Sequence, residues 1–213
     1  MSKVLEKISK AVIRGDEDEI ADLTKDALDE GLGAKEILTG GLMPGMDYVG
    51  VEFKAGRMFV PEVLLSARTM KGSMNMLEPL LAEGESIAVG KVVMGTVEGD
   101  LHDIGKNLVG MMMEGAGFQI VDLGVNVTPG AFVDSVKKEK PDVVGMSALL
   151  TTTMRNMGRT IDALKEAGLR DQVKVMIGGA PVTGDFAEQI GADGTASSAP
   201  SAVDLAKSLI GLA

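Results

Sequence analysis

The sequence predicts a four-helix bundle followed by an α/β domain whose five-stranded parallel sheet carries helices on both faces. Two observations lead there. Apolar residues recur with helical spacing over roughly residues 1 to 85, and beyond that point short apolar runs alternate with helical stretches. The polar segment Ala82-Glu83-Gly84-Glu85-Ser86 separates the two regimes and reads as a linker, giving domains at 1–86 and 87–213.

In the first half, Val4, Leu5, Ile8, Ala11 and Val12 form one helical stripe, ended by Gly15. Asp16 reads as an N-cap with Glu19 three residues on, a capping box. Ile20, Leu23, Thr24, Ala27 and Leu28 follow as a second stripe, closed by Gly31. A third runs through Leu38, Leu42, Met46, Val49 and Phe53, with Gly40-Gly41 and Pro44 expected to kink it or shift its start. Gly56 breaks it. Pro61 suits the first position of a fourth helix, whose stripe is Leu64, Ala67, Met70, Met74, Leu77 and Leu81. Short connections make these four helices an antiparallel bundle.

In the second half, strands are expected near 90–96, 118–123, 142–147, 173–178 and 193–196. Helices are expected near 104–116, 129–139, 153–168, 182–190 and 201–210. Five β-α units in order make an open parallel sheet of flavodoxin/Rossmann-like type. Such sheets hold ligands at the carboxyl ends of the strands, beside the switch in strand order. Met111-Met112-Met113 points to different faces of one helix and reads as core and interface filling.

Composition narrows the function. Hydrophobic residues make up 45% and aromatics 3%, so the cores are aliphatic. The net charge is −10 with no basic cluster, which disfavours nucleic acid and anionic membranes as partners. Without Cys there is no disulfide, thiolate metal site, iron–sulfur cluster or Cys nucleophile on this chain. No apolar run is long enough to span a bilayer, and Met1 to Ile13 lacks the apolar core of a signal peptide, so a cytoplasmic location is expected.

The chemistry gathers in three loops at the ligand-binding edge. The chain's single histidine lies in Asp100-Leu101-His102-Asp103-Ile104-Gly105, just after the first strand. The loop after the third strand holds Ser147-Ala148-Leu149-Leu150-Thr151-Thr152-Thr153, where a hydroxyl is expected to cap the next helix. The loop after the fourth holds Gly178-Gly179-Ala180-Pro181, either a turn or a place where a ligand nears the backbone. Ser197 follows the fifth strand at the same edge.

These elements resemble the cobalamin-binding domains of methionine synthase, of adenosylcobalamin mutases and of corrinoid methyl-carrier proteins. That pattern is D-x-H-x-x-G, then S-x-L, then G-G, here Asp100/His102/Gly105, Ser147/Leu149 and Gly178/Gly179. Positions 106 to 146 separate the first element from the second, and 150 to 177 the second from the third, spacings similar to the family's. Phe53 to Val63 resembles the segment by which a helical cap covers the methyl face of cobalamin, with Phe53, Phe59, Val60 and Val63 on the contact positions. The resemblance spans nearly the whole chain and is nearest to corrinoid proteins of methanol, methylamine, glycine betaine and aryl methyl ether (O-demethylase) systems.

The resemblance implies that His102 binds cobalt as lower axial ligand through Nε2, displacing the cofactor's dimethylbenzimidazole. Asp100 would hold Nδ1–H, and Thr153, where methionine synthase has serine, would complete the relay. Ser147, Leu149, Thr151, Gly178, Gly179 and Ser197 would line the tail slot and corrin edge beside Ile104 and Gly105. Asp103 reads as a helix-start carboxylate close to the cofactor. The implied function is a methyl shuttle. Cob(I)alamin takes a methyl group from a substrate:corrinoid methyltransferase. Methylcob(III)alamin then donates it to a second methyltransferase with tetrahydrofolate or coenzyme M as acceptor, and a reductive activator protein is a further partner. The chain itself would be a non-catalytic subunit. Alternative readings are a cobalamin-dependent sensor, the small subunit of an adenosylcobalamin mutase, and haem binding by His102. The chain has no Trp and no basic recognition helix for the first, and carries a helical cap that the second lacks.

Overall fold

The computed structural model describes residues 2–80 and 88–212. The expected linker, Ala82–Ser86, the expected boundary at 86/87, and Leu81 lie outside the described residues. The chain divides into two compact units, Met1–Val89 with Met111–Phe118, and Gly90–Gly110 with Gln119–Ala213.

In the first unit, α1 (Lys3–Arg14) buries the predicted Val4, Leu5, Ile8, Ala11 and Val12. It ends at Gly15 in the left-handed region, φ 68°, where an added Cβ would stand 2.6 Å from Leu65 Cβ. Glycine therefore serves both the turn and the close helix approach. In α2 (Glu17–Asp29) the buried face is Ile20, Leu23, Thr24 and Ala27. Asp16 Oδ1 accepts the Glu19 N–H at 3.0 Å. The reciprocal half of the predicted capping box is replaced, because the Glu19 carboxylate pairs with Arg14.

The third helical run is α3 (Ala34–Ile37), a π-type turn at Leu38–Leu42, and α4 (Met43–Lys54). The wide turn explains the Gly40-Gly41-Pro44 signal. Cβ atoms on Gly40 and Gly41 would fall 2.9 Å from Leu5 and Ile8 of α1, and Pro44 sits in the first turn of α4. The fourth run is α5 (Val60–Leu77), with Pro61 in its first turn and the Glu62 carboxylate accepting the Phe59 N–H at 2.8 Å. Here the stripe reading needs correction. The buried face is Val63, Ser66, Thr69, Met70, Ser73 and Leu77, while Leu64, Ala67 and Met74 are half-buried. Small hydroxyl residues find buried partners, Thr69 within its own helix on Leu65 O (2.9 Å) and Ser73 across to Thr24 of α2 (2.7 Å), so hydropathy alone misplaces the face.

The segment from Gly90 onward follows the predicted alternation, with boundaries within two residues of expectation. Its elements are β1 (Gly90–Thr96), α6 (Ile104–Gly115), β2 (Phe118–Asp122), α7 (Pro129–Glu139), β3 (Val143–Ser147), α8 (Thr151–Glu166), β4 (Lys174–Gly178), α9 (Gly184–Ile190), β5 (Gly194–Ala196) and α10 (Ala199–Leu209). The sheet order is β2-β1-β3-β4-β5, with parallel register such as Val93↔Val144 and Val144↔Val175. One sheet face, through Val93, Val97, Val144, Met146, Val175 and Ile177, packs on Phe132 of α7 and Met157, Ile161 and Leu164 of α8. The order switches between β1 and β3, so the loops after them flank the crevice at their carboxyl ends. Among the described residues no helix is long and apolar enough to cross a membrane.

Candidate functional site

β1 delivers Thr96, fully buried, and the chain then turns through Val97–Asp103 into α6. Thr96 Oγ1 donates to His102 O at 2.9 Å, and the Asp100 N–H donates to Val97 O at 3.1 Å. The turn sets Asp100 inward, with 0% of its surface exposed, and His102 outward, with its side chain 52% exposed.

Every lone pair that Asp100 presents has a donor. Oδ1 accepts the His102 N–H at 3.1 Å and lies 2.7 Å from His102 Nδ1. Oδ2 accepts the N–H groups of Leu149 (2.8 Å) and Leu150 (3.2 Å) and stands 2.8 Å from Thr153 Oγ1. Burial pushes the carboxyl upward. The donors from His102, Thr153 and Leu149 outweigh it and hold Asp100 well below the usual carboxylate range. An ionised carboxylate only accepts, so Nδ1 carries a ring proton, and in the neutral ring the lone pair is the one on Nε2. Thr153 Oγ1 also lies 2.9 Å from Leu150 O, and the charged acceptor takes its one proton.

This corrects the reading of the Ser/Thr run as a helix cap. The N-cap of α8 is Leu150, without a side-chain cap, and the carboxylate of Asp100 serves the amides there instead. The same contacts tie the loop after β1 to the loop after β3.

A second network lies on the other flank of the turn, and sequence reasoning missed it. Lys106, buried, donates to Asn107 Oδ1 at 2.7 Å and to Asp122 Oδ2 at 2.5 Å. Asn107 Nδ2 in turn donates to Asp103 Oδ2 at 3.0 Å. Asp103 thus stands at the start of α6 as expected, held by its own helix. The available signal was a lysine directly after the D-x-H-x-x-G glycine, in a helix otherwise rich in apolar residues.

The remaining predicted residues fall in several settings. Ile104 and Gly105 open α6 and are exposed, with no atom within 4 Å of a Cβ placed on Gly105. Ser147 ends β3 half-buried, and Leu149 and Thr151 are exposed. Gly178 ends β4. Gly179, at φ 131°, runs so close to the next loop that an added Cβ would meet Ala148 O at 1.9 Å. Ser197 is exposed after β5. In the helical unit, Phe59 and Val60 are exposed, Phe53 is half-buried and Val63 is fully buried. A bidentate pair of Arg57 with Glu52, 2.6 and 2.8 Å, closes the turn before Phe59.

Among the described residues no group of three His, Cys, Asp or Glu side chains could hold a metal ion unaided. A single oriented imidazole suits a metal that arrives with its own equatorial ligands. The surroundings fit a broad apolar group, since Leu101, Ile104, Leu149 and Leu150 are exposed on the same loops.

Comparison with known proteins agrees. Two family models match, both described as B12 binding domain, over residues 4–78 and 90–204. A corrinoid protein of Desulfitobacterium hafniense (strain Y51) is 45% identical over 98% of each chain. The chain belongs to the B12-binding corrinoid protein family. Cobalamin is accordingly its cofactor, and the D-x-H-x-x-G loop falls inside the second matched region. Another corrinoid-family relative, the dimethylamine corrinoid protein of Methanosarcina barkeri, is 43% identical over 99% of this chain and 100% of its own. The methanol:cobalamin methyltransferase complex of the same organism matches in structure with TM-score 0.89 at 31% identity. That match covers 99% of this chain and 80% of the other.

Proposed function

We propose that this corrinoid protein carries methyl groups between two methyltransferases, with His102 as lower axial ligand of cobalt. The observation that supports it best is the 2.7 Å contact of His102 Nδ1 with fully buried Asp100, which leaves Nε2 on a half-exposed ring. Relatives named as dimethylamine and trimethylamine corrinoid proteins, and the methanol:cobalamin methyltransferase complex, support a methyltransferase setting.

The bound corrinoid supplies a cobalt centre that can take up and release a methyl group. The chain's part is ligation, orientation and electrostatics. Asp100 fixes the ring in the Nδ1–H tautomer and makes Nε2 a better donor. Thr153 and the amides of Leu149 and Leu150 keep Asp100 charged. Ile104, Gly105, Ser147, Leu149, Thr151, Gly178, Gly179 and Ser197 border the corrinoid in this reading. Phe53, Phe59 and Val60 are its contacts in a helical cap of residues 1–86, with residues 87–213 as the corrinoid domain, whereas Val63, expected beside them, is fully buried and offers the corrinoid no surface. The donor-side partner is a methylamine- or methanol-type methyltransferase. The acceptor side uses tetrahydrofolate or coenzyme M, a reductive activator keeps the cofactor competent, and the site of action is the cytoplasm.

The test is the visible spectrum of apoprotein loaded with methylcobalamin. Displacement of dimethylbenzimidazole by histidine is expected in the wild type and its loss in His102→Ala. Retained dimethylbenzimidazole coordination, or an unchanged spectrum in His102→Ala, would sink the ligand assignment. Methyl transfer from a methylamine or methanol with its cognate methyltransferase tests the carrier role separately.

A further inference from the structure

The turn that bears His102 is gripped from both strands beside β1. From the β3 side, Leu149, Leu150 and Thr153 hold the Asp100 carboxylate. From the β2 side, the loop after β2 holds the backbone of the same turn. Asn126 Oδ1 accepts the Gly99 N–H at 2.8 Å, and the Asn126 N–H donates to Asp100 O at 3.0 Å. The next residue, Val127, donates its N–H to Thr96 O at 2.9 Å and bridges in parallel to Val97. Asn126 adopts φ 55° to make both bonds, in the left-handed region that asparagine tolerates better than most residues.

We propose that Asn126 is a positioning residue for His102, holding the Gly99–Asp100 backbone so that the Asp100 carboxylate meets the imidazole Nδ1. The carboxylate end of Asp100 is already fixed from the β3 side. The backbone end is held at Glu98 O by Asn156 (2.7 Å) and at His102 O by Thr96, and between those points Asn126 is the outside residue that takes the N–H of Gly99 and donates to the carbonyl of Asp100. Releasing that end lets the turn pivot about the carboxylate, and the 2.7 Å contact to the ring lengthens. The functional meaning rests on His102 being the cobalt ligand, whereas the placement itself can be measured without the cofactor.

His102 is the only histidine, so the imidazole nitrogen resonances of the apoprotein belong to it alone. With the ring neutral, the wild type is expected to show the Nδ1–H tautomer. Asn126→Gly keeps the left-handed backbone and its amide donor but deletes Oδ1. One such hydrogen bond is worth about 0.5–1.5 kcal/mol, so the share of the Nε2–H tautomer should rise by about 2- to 10-fold. Asn126→Asp, which keeps an acceptor in place, should restore the wild-type ring signals. Unchanged ring signals in Asn126→Gly, or no rescue by Asn126→Asp, overturns the proposal. In cobalamin-loaded protein the histidine-on absorbance is expected to fall in Asn126→Gly and recover in Asn126→Asp. An unaltered loaded spectrum in His102→Ala would remove the ligand reading, while the apoprotein ring signals would still decide the role of Asn126.

Discussion

Asp100 shows at the scale of one residue how a buried charge becomes an organiser. It accepts from three backbone amides, one hydroxyl and one imidazole, and all of these donors lose their shared charged acceptor without it. Asp100→Ala should therefore destabilise the apoprotein by about 3 kcal/mol in urea unfolding, as expected for breaking a buried charged network. The pH dependence follows from its depressed carboxyl. The unfolded chain binds the proton first, so the stabilisation is complete above about pH 4 and is lost as pH falls below that. Asp100→Asn should accordingly show a flatter acid limb than wild type. An equally steep one would mean that other carboxylates dominate acid unfolding. His102, Asp100 and Thr153 were legible in the sequence because side-chain chemistry at family spacing marks them. Asn126 and the Leu149 and Leu150 amides were not, because they act through backbone groups that every residue possesses. Only the turn preference of asparagine in Gly124-Val125-Asn126 hinted at a special conformation.

At the scale of elements, the alternation of short apolar runs with helical stretches was enough to locate all five strands, because buried parallel strands read as continuous hydrophobic runs. The face of α5 was not legible, since Ser66, Thr69 and Ser73 are buried against the pull of hydropathy. The loops separate two kinds of glycine. Gly179 combines φ 131° with a Cβ position 1.9 Å from Ala148 O, so Gly179→Ala must distort one of the two loops. A loss of about 3 kcal/mol or more is expected from strain and overlap together. Gly105 lies in the first turn of α6 with open space around it. Gly105→Ala should leave the apoprotein as stable as wild type or up to about 1 kcal/mol more stable. If Gly105→Ala nonetheless weakens cobalamin binding, the glycine is there for the cofactor. If binding is also unchanged, its place among the corrinoid contacts is wrong.

At the scale of the whole molecule, the balance between fold and cofactor can be read from thermal unfolding. The core is aliphatic, with Phe132 the largest fully buried side chain, and the chain has one Tyr and no Trp. Calorimetry is therefore a better monitor than intrinsic fluorescence. A ligand that binds only the native state stabilises it by about 2.7 kcal/mol at a free concentration 100 times its Kd. For a chain of this size that corresponds to a rise in Tm of about 5–10 °C. The rise should be present with cobalamin and, under the proposed role of His102 as cobalt ligand, should shrink in His102→Ala, which removes the imidazole and leaves the apolar side chains of the loops in place. Asn126→Gly should fall between the two, since its imidazole is present but held less firmly. An equal rise in wild type and His102→Ala would mean that the corrinoid is held by packing alone. That result would leave Asp100 as a structural carboxylate and remove the energetic reason for orienting the ring.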